Sequence, residues 1–304
     1  MSLITDKPQV EGNVFKARTV CAVVTSFFPD EEFPLRIKNL LDQVQCVVVV
    51  DDSGSVGEHH RLNQWFHGVE GVKVIHHPSN LGVAAALNTG IEKAAELGFG
   101  YALLLDEDSQ LRAEFLTGLL AEFEKSYDPN RTIVGINFGN LSREEDAASG
   151  DNFREVESLI TAGCIVSINL HQTIGPFRTG FFIDYVDHDY CLRARAHGIR
   201  LVQYSALGLI QPIGQTQQTS LGELASVHSA TRVYYFFRNS TIIVKEYYRK
   251  YPQFILWIIY QQLKTIAKIL LFLHPKHSYI KAMFRGWLDS FSCSLGKMPD
   301  GRIF

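Results

Sequence analysis

Three sets of carboxylates stand where strands should end. Asp106, Glu107 and Asp108 follow directly on the apolar run 101–105, "YALLL". Charge at the mouth of a buried strand is costly to desolvate and calls for a partner. Residues i and i+2 of an extended segment point the same way. Asp106 and Asp108 therefore suit a shared Mg2+ or Mn2+ bridged to a diphosphate, the hard-oxygen mode of these ions. A solvated turn with Ser109 capping the next helix would use the same residues without an ion. Asp51 and Asp52 close a second apolar run, "QCVVVV". An acid there either accepts hydrogen bonds from a base imide or a ribose hydroxyl or caps a Gly-containing turn. The third set, Asp184, Asp187 and Asp189 in "DYVDHDYCLRARAHG", marks a strand–helix junction. Asp187 is the candidate general base toward an acceptor hydroxyl. Asp189 fits better as the helical partner of Arg193, four residues on.

Positive and small residues complete the inventory. In "HSATRVYYFFRNS", His228, Arg232, Arg238 and Asn239 sit among aromatics. Cations there either hold a diphosphate leaving group or pack their stems along a core helix. In "NLGVAAALNTGI", Gly82 and the alanines after it let a helix N-terminus approach either a phosphate or ribose or the sheet beneath it.

The elements that must position these groups read as an alternation of strand and helix. Strand 19–27 precedes the helical stretch "FPLRIKNLLDQV"; strand 45–50 precedes a helix through Trp65; strand 72–77 precedes "GVAAALNTGIEKAAELG" and then "YALLLDEDS". Such alternation implies right-handed βαβ units with helices on both sheet faces. Ligands in such sheets bind beyond the carboxyl ends of the strands, where Thr25, Asp52, Asp106 and Asp108 all fall. Residues 143–157 read as a polar excursion, 158–177 as renewed β patterning, 205–227 as a Gln- and Gly-rich loop, and the remainder to about 295 as helical.

The chain has 304 residues, 46% hydrophobic and 20% charged, with a net charge of −3. That balance excludes disorder. From residue 230 onward there are 12 Lys/Arg against 3 Asp/Glu, so a basic end follows an acidic body. Cys21, Cys46, Cys164, Cys191 and Cys293 show no metal-type spacing, as expected for reduced, buried cytosolic thiols. Residues 1–17 carry no long apolar stretch and read as a polar lead-in without a secretory signal. Residues 254–273 are long enough to span a bilayer. Gln261, Lys264 and Lys268 nevertheless draw a polar stripe along them, which favours an amphipathic helix lying in the interface. The other occupants of such a face are a second copy of the chain and the α/β body of the chain itself. Nucleic acid is not an expected partner, because the basic region is so apolar and the sheet region acidic.

In order, the motifs run strand–Thr, strand–DD, N-x-G-x-A-x-A-x-N-x-G, strand–DxD, GPF, D-x-V-D-x-D-x-C-L-R and R-x-Y-Y-x-x-R-N. Over residues 19–245 this series resembles the family 2 inverting glycosyltransferases, and within them a bacterial rhamnosyltransferase-like branch. The resemblance implies an α/β GT-A fold, Rossmann-like, with a mixed sheet, helices on both faces and amphipathic helices at the C-terminus. It implies a catalytic domain over 18–240 and a membrane- or oligomer-contacting region over 241–304. Thr25, Phe27, Asp52, Gly82, Asp106, Arg232 and Arg238 are then expected on the nucleotide-sugar donor. Asp106, Asp108 and His228 are expected on Mg2+ or Mn2+, and Asp187 as base in a single in-line displacement. Two departures stand out: Val186 replaces the first acid of the family's "ED" pair, with Asp184 nearby, and "QPIG" from Gln211 replaces "HxIG". The implied donor is dTDP-L-rhamnose and the implied acceptor a glycan or polyprenyl-linked sugar at the cytoplasmic face of the inner membrane. A UDP-hexose donor, a nucleotidyltransferase and a non-catalytic carbohydrate-binding protein are the alternatives. The second of these lacks its Gly/Lys-rich phosphate loop, since "TSFFPDEEF" stands in that place.

Overall fold

The computed structural model describes residues 19–139, 152–210, 217–219, 222–224, 229–292 and 294–298. Its first half alternates as the apolar runs require: β1 (Val20–Ser26), α1 (Phe33–Leu41), β2 (Cys46–Asp51), α2 (Val56–Trp65), β3 (Val72–His76), α3 (Val83–Glu96) and β4 (Tyr101–Asp106). Next come β5 (Gln110–Leu111), α4 (Phe115–Ser126), β6 (Thr132–Gly139), β7 (Phe153–Glu155), β8 (Cys164–Ser167), α5 (Ile168–Ile174), α6 (Val186–Ala196) and β9 (Arg200–Ile210). A small hairpin, β10 (Gln217–Thr219) and β11 (Gly222–Leu224), precedes α7 (Ala230–Tyr247), α8 (Pro252–Leu271) and α9 (Lys276–Phe291).

The main sheet runs β3-β2-β1-β4-β8-β6-β9-β5. Its first four strands are parallel. β8 is antiparallel to both β4 and β6, which makes the sheet mixed. Strand parity sorts the core into two layers. Val20, Ala22 and Val24 join the layer under α1 and α4, while Cys21 and Val23 join the layer under α3 and α6. A strand buried on both faces has no polar side to show, hence the unbroken apolar runs. The sequence "NTG" in α3 belongs to this packing, because a Cβ on Gly90 would lie 2.2 Å from a Val23 methyl carbon.

Three expectations need correction. Residues 205–210 are the second half of β9 rather than loop, held by pairing with β6 and β5. The stretch expected to be strand over 158–177 yields only β8 before turning into α5. The polar excursion ends in β7, which pairs antiparallel with β9. Residues 1–18, 140–151 and 211–216, together with His228 and Cys293, lie outside the described residues. The other four cysteines are buried thiols without disulfides. Phe254, Ile255 and Ile258 of α8, with Ile242 and Ile243 of α7, pack into the same layer as α3 and α6, so these two helices share the sheet's core, while α9 packs in a separate cluster with α7.

Candidate active site

β2, β1 and β4 end in register. Ser26 pairs with Asp51 and Thr25 with Asp106. The acids that follow each strand therefore reach one edge together. They open into a cleft of about 690 Å³ lined by Thr25, Phe27, Asp52, Gly82, Asp106, Asp108, Asp187 and Arg232. These are all but two of the residues expected to form a site. His228 lies outside the described residues, as does Gln211 of the "QPIG" stretch. Arg238 lies elsewhere in the fold.

Asp52 is buried and heavily engaged. One oxygen accepts the Leu81 N–H at 2.8 Å and faces His77 Nδ1 at 2.8 Å. The other accepts the Gly82 N–H at 2.7 Å. A carboxylate offers about four acceptor positions, so room for one further donor, such as a base imide, remains. Gly82 lines the cleft but has its N–H committed to Asp52. Its φ of 92° and a Cβ position 2.5 Å from the Phe182 carbonyl explain the glycine: it lets the 182–185 loop close against α3. Ser26 Oγ is buried in the same region without a hydrogen-bond partner among the described residues. Sequence reading passed it over for Thr25.

At the end of β4, Glu107 lines the cleft beside the two aspartates and accepts the Phe27 N–H, while Arg36 Nε donates to its carbonyl at 2.8 Å. This ties the β1 and β4 loops together and explains the acid between the DxD pair. Burial pushes the Glu107 carboxyl up to about 7, against the Phe27 amide and with help from Asp108 and Asp106. Asp106 and Asp108 offer only hard oxygen donors, a set that fits Mg2+ or Mn2+ rather than a softer ion. When bound there, such an ion supplies positive charge against a departing diphosphate.

The opposite wall is a loop of unusual backbone. Phe182, Asp184 and Tyr185 all have positive φ, at 65°, 62° and 63°. Non-glycine residues hold such angles only where the surroundings over-determine them. Here Asn239 Nδ2 donates to the carbonyls of Phe181, Ile183 and Asp184 at 3.0, 2.8 and 2.8 Å. Arg238 grips the preceding turn, donating to Gly180 and Phe181 at 2.9 and 3.0 Å and to Gly296 at 2.7 Å. Arg238 is thus a brace. Expected on the donor, it is 1% exposed and its guanidinium is used up on carbonyls and on the faces of Tyr234 and Tyr235.

The braced loop delivers Asp184 and Asp187. Asp184 pairs with Arg232 at 2.6 Å across the cleft wall. Asp187 stands in the first turn of α6, where helix N–H groups favour an anion, and one of its oxygens accepts the His188 N–H at 2.8 Å. Asp189, two residues on, is fully buried between Arg193 at 2.9 Å and Arg178 at 3.0 Å. Missed in the sequence are His188, paired with Ser158 at 2.6 Å, and Trp257 and Gln261 of α8, which close the cleft from beyond residue 240. An aromatic surrounded by isoleucines in an apolar helix gives no signal of facing a site.

The comparisons agree with this architecture. Crystalline S. aureus TarS (residues 1–349) superimposes with a TM-score of 0.61 at 14% identity, covering 89% of this chain and 80% of that one. The mannosyltransferase PcManGT from Pyrobaculum calidifontis, solved with GDP-Man and Mn2+, gives 0.54 at 12% identity over 91% and 86%. The fold is GT-A. In sequence the chain is 25% identical over 240 residues to the dTDP-rhamnosyl transferase RfbF of Shigella flexneri, covering 75% of this chain and 80% of that protein. The family model described as glycosyl transferase family 2 matches residues 22–178, and the chain belongs to that family.

Proposed function

We propose that the chain is an inverting rhamnosyltransferase, moving L-rhamnose from dTDP-L-rhamnose to a hydroxyl of a lipid-linked or oligosaccharide acceptor in surface polysaccharide synthesis. One observation carries the catalytic reading: Asp52, Asp106, Asp108, Asp187 and Arg232 line a single cleft. Thr25, Phe27 and Asp52 take the nucleotide; Asp106 and Asp108 hold a divalent cation; Arg232, set by Asp184, faces the diphosphate. Asp187 takes the acceptor's proton as its oxygen attacks the anomeric carbon. With Asp184 engaged by Arg232, Asp187 does this alone, and a single displacement needs no second carboxylate as nucleophile. The name of the S. flexneri relative supports thymidine and rhamnose. The Mn2+ named with PcManGT supports the cation.

Thermal unfolding with Mn2+ and a panel of nucleotide sugars tests the donor. A ligand at a hundredfold excess over its Kd stabilises by about 2.7 kcal/mol. dTDP-L-rhamnose is expected to raise the midpoint by several degrees and UDP-hexoses by far less. Stabilisation by a UDP-hexose alone overturns the donor assignment.

We also propose that residues 241–304 form a membrane-facing region on the cytoplasmic side. α8 is apolar on both sides: Phe254, Ile255 and Ile258 face the core, and a second apolar face looks outward. Gln262 turns inward to Ser240 and Thr241 at 2.7 and 3.2 Å, while Leu256, Tyr260, Leu263 and Leu271 are 60–67% exposed. Lys264, Lys276 and Lys281 are exposed around this apolar face, a combination suited to anionic lipid. The same helix brings Trp257 and Gln261 to the cleft, so a lipid-carried acceptor would meet the base from the membrane side. Flotation with phosphatidylglycerol vesicles is expected to carry the protein up, and Leu263→Glu to leave it behind. A protein that stays down with wild-type sequence and runs as a dimer assigns this face to a second copy instead.

A further inference from the structure

A second cluster of ligating side chains lies behind the cleft, on the other face of the sheet. Neighbouring residues at a strand end point to opposite sides: Asp52 turns toward α3, and Asp51 toward α2. The Asp51 side chain is fully buried, with Oδ2 2.9 Å from His76 Nδ1 and 3.5 Å from His59 Nε2. Its other oxygen accepts the Ser53 N–H at 2.9 Å. The two imidazoles lie against each other, tilted by 36° with centroids 4.4 Å apart.

The two histidines are held differently. His59 Nε2 is buried and has no hydrogen-bond partner among the described residues; its distance to Asp51 is too long for a good hydrogen bond. His76 meets Asn63 Oδ1 at 3.0 Å through Nε2 and Asp51 through Nδ1. An ion among Asp51 Oδ2, His76 Nδ1 and His59 Nε2 would engage the one ring nitrogen of the cluster that is buried without a partner. The arrangement of Asn63 on the outer ring nitrogen is how proteins orient a ligating imidazole.

We propose that Asp51, His59 and His76 form a site for Zn2+ or a similar borderline ion, separate from the aspartates of the cleft. The three donor atoms lie within 4.8 Å of one another. A tetrahedral ion with bonds of about 2.0–2.2 Å holds its ligands about 3.3–3.6 Å apart, so small ring movements complete the geometry. Two imidazole nitrogens and one carboxylate select this class over Mg2+, which prefers all-oxygen sets. His59 and His76 keep 23% and 20% of their side chains exposed, which gives the ion access and leaves the fourth position to water. The ion would pin α2 to the ends of β2 and β3, directly behind Asp52 and its partner His77.

The test uses the full chain, stripped of metal with chelator, in excess Mg2+ so that the cleft aspartates are occupied. Calorimetric titration with Zn2+ is expected to show one equivalent bound, and Co2+ in its place to give the strong visible absorption of a low-coordinate site. His59→Ala, on a partly exposed helix face, is expected to abolish that absorption, and Asn63→Ala to weaken binding about 10–100-fold. The proposal is overturned if His59→Ala binds Zn2+ as the wild type does, or if Co2+ shows only the weak absorption of an octahedral oxygen site. It is equally overturned if Asp106→Ala, and not His59→Ala, removes the zinc equivalent.

Discussion

Asp187→Asn is expected to cut turnover by about 10²–10⁴-fold, the contribution of a positioned general base, while nucleotide-sugar binding persists. The substitution keeps shape and loses only the ability to take a proton. The amide oxygen can still accept the His188 N–H that now holds one carboxylate oxygen at 2.8 Å, so the start of α6 should keep its form. The loop before it is held from outside, by Asn239 on the carbonyls of Phe181, Ile183 and Asp184, and does not depend on Asp187. Asp184→Asn makes the useful contrast. It weakens the pair with Arg232, and so should loosen donor binding more than it slows chemistry. Single-turnover rates beside calorimetric donor titrations separate the two. Retained turnover in Asp187→Asn moves the base elsewhere; lost donor binding makes Asp187 a donor ligand.

The part of this site carried by β1, β2 and β4 was legible in the sequence for a physical reason. Strands covered on both faces must be apolar throughout, so the first acids after each run mark its carboxyl end, where parallel strands place ligands. Asp52, Asp106 and Asp108 could be found that way, and Asp187 followed from its strand–helix junction. What could not be read depends on partners far along the chain. Arg238 meets carbonyls 56–58 residues away, and spacing along α7 does not tell whether a guanidinium faces solvent, ligand or backbone. Positive φ at Phe182, Asp184 and Tyr185 leaves no glycine to announce it. β9 looked like loop from residue 205 because its composition is poor in strand formers, yet pairing on both sides holds it. Trp257 and Gln261 come from a helix that is apolar on its outward as well as its inward side, so its pattern does not tell which residues face the cleft.

The two arginines of α7, alike in the sequence, should part company when replaced. Arg238→Met is expected to lower unfolding free energy by about 2–4 kcal/mol, through lost hydrogen bonds from a charged donor to buried carbonyls. The Gly296 carbonyl would lose its donor, while those of Gly180 and Phe181 would each lose one donor and keep another, the Gly296 N–H and Asn239 Nδ2, beside a core that includes Tyr234 and Phe237. An orphaned group costs about 1–3 kcal/mol, partly offset because methionine refills some of the space between the tyrosines. Arg238→Lys should fall between, since an ammonium keeps the charge but cannot present the flat fork that reaches several carbonyls at once. Arg232 is different: its side chain is 43% exposed and its pair with Asp184 borders the cleft. Arg232→Met should cost no more than about 1 kcal/mol of stability, as solvent screens such a pair, yet should weaken donor binding through loss of positive charge beside the diphosphate. Urea unfolding of both variants, read with donor titration at a temperature where each is folded, distinguishes brace from ligand. If Arg238→Met unfolds like the wild type and fails only in donor binding, then Arg238 reaches the diphosphate after all, and the strained 182–185 loop must be held by Asn239 alone.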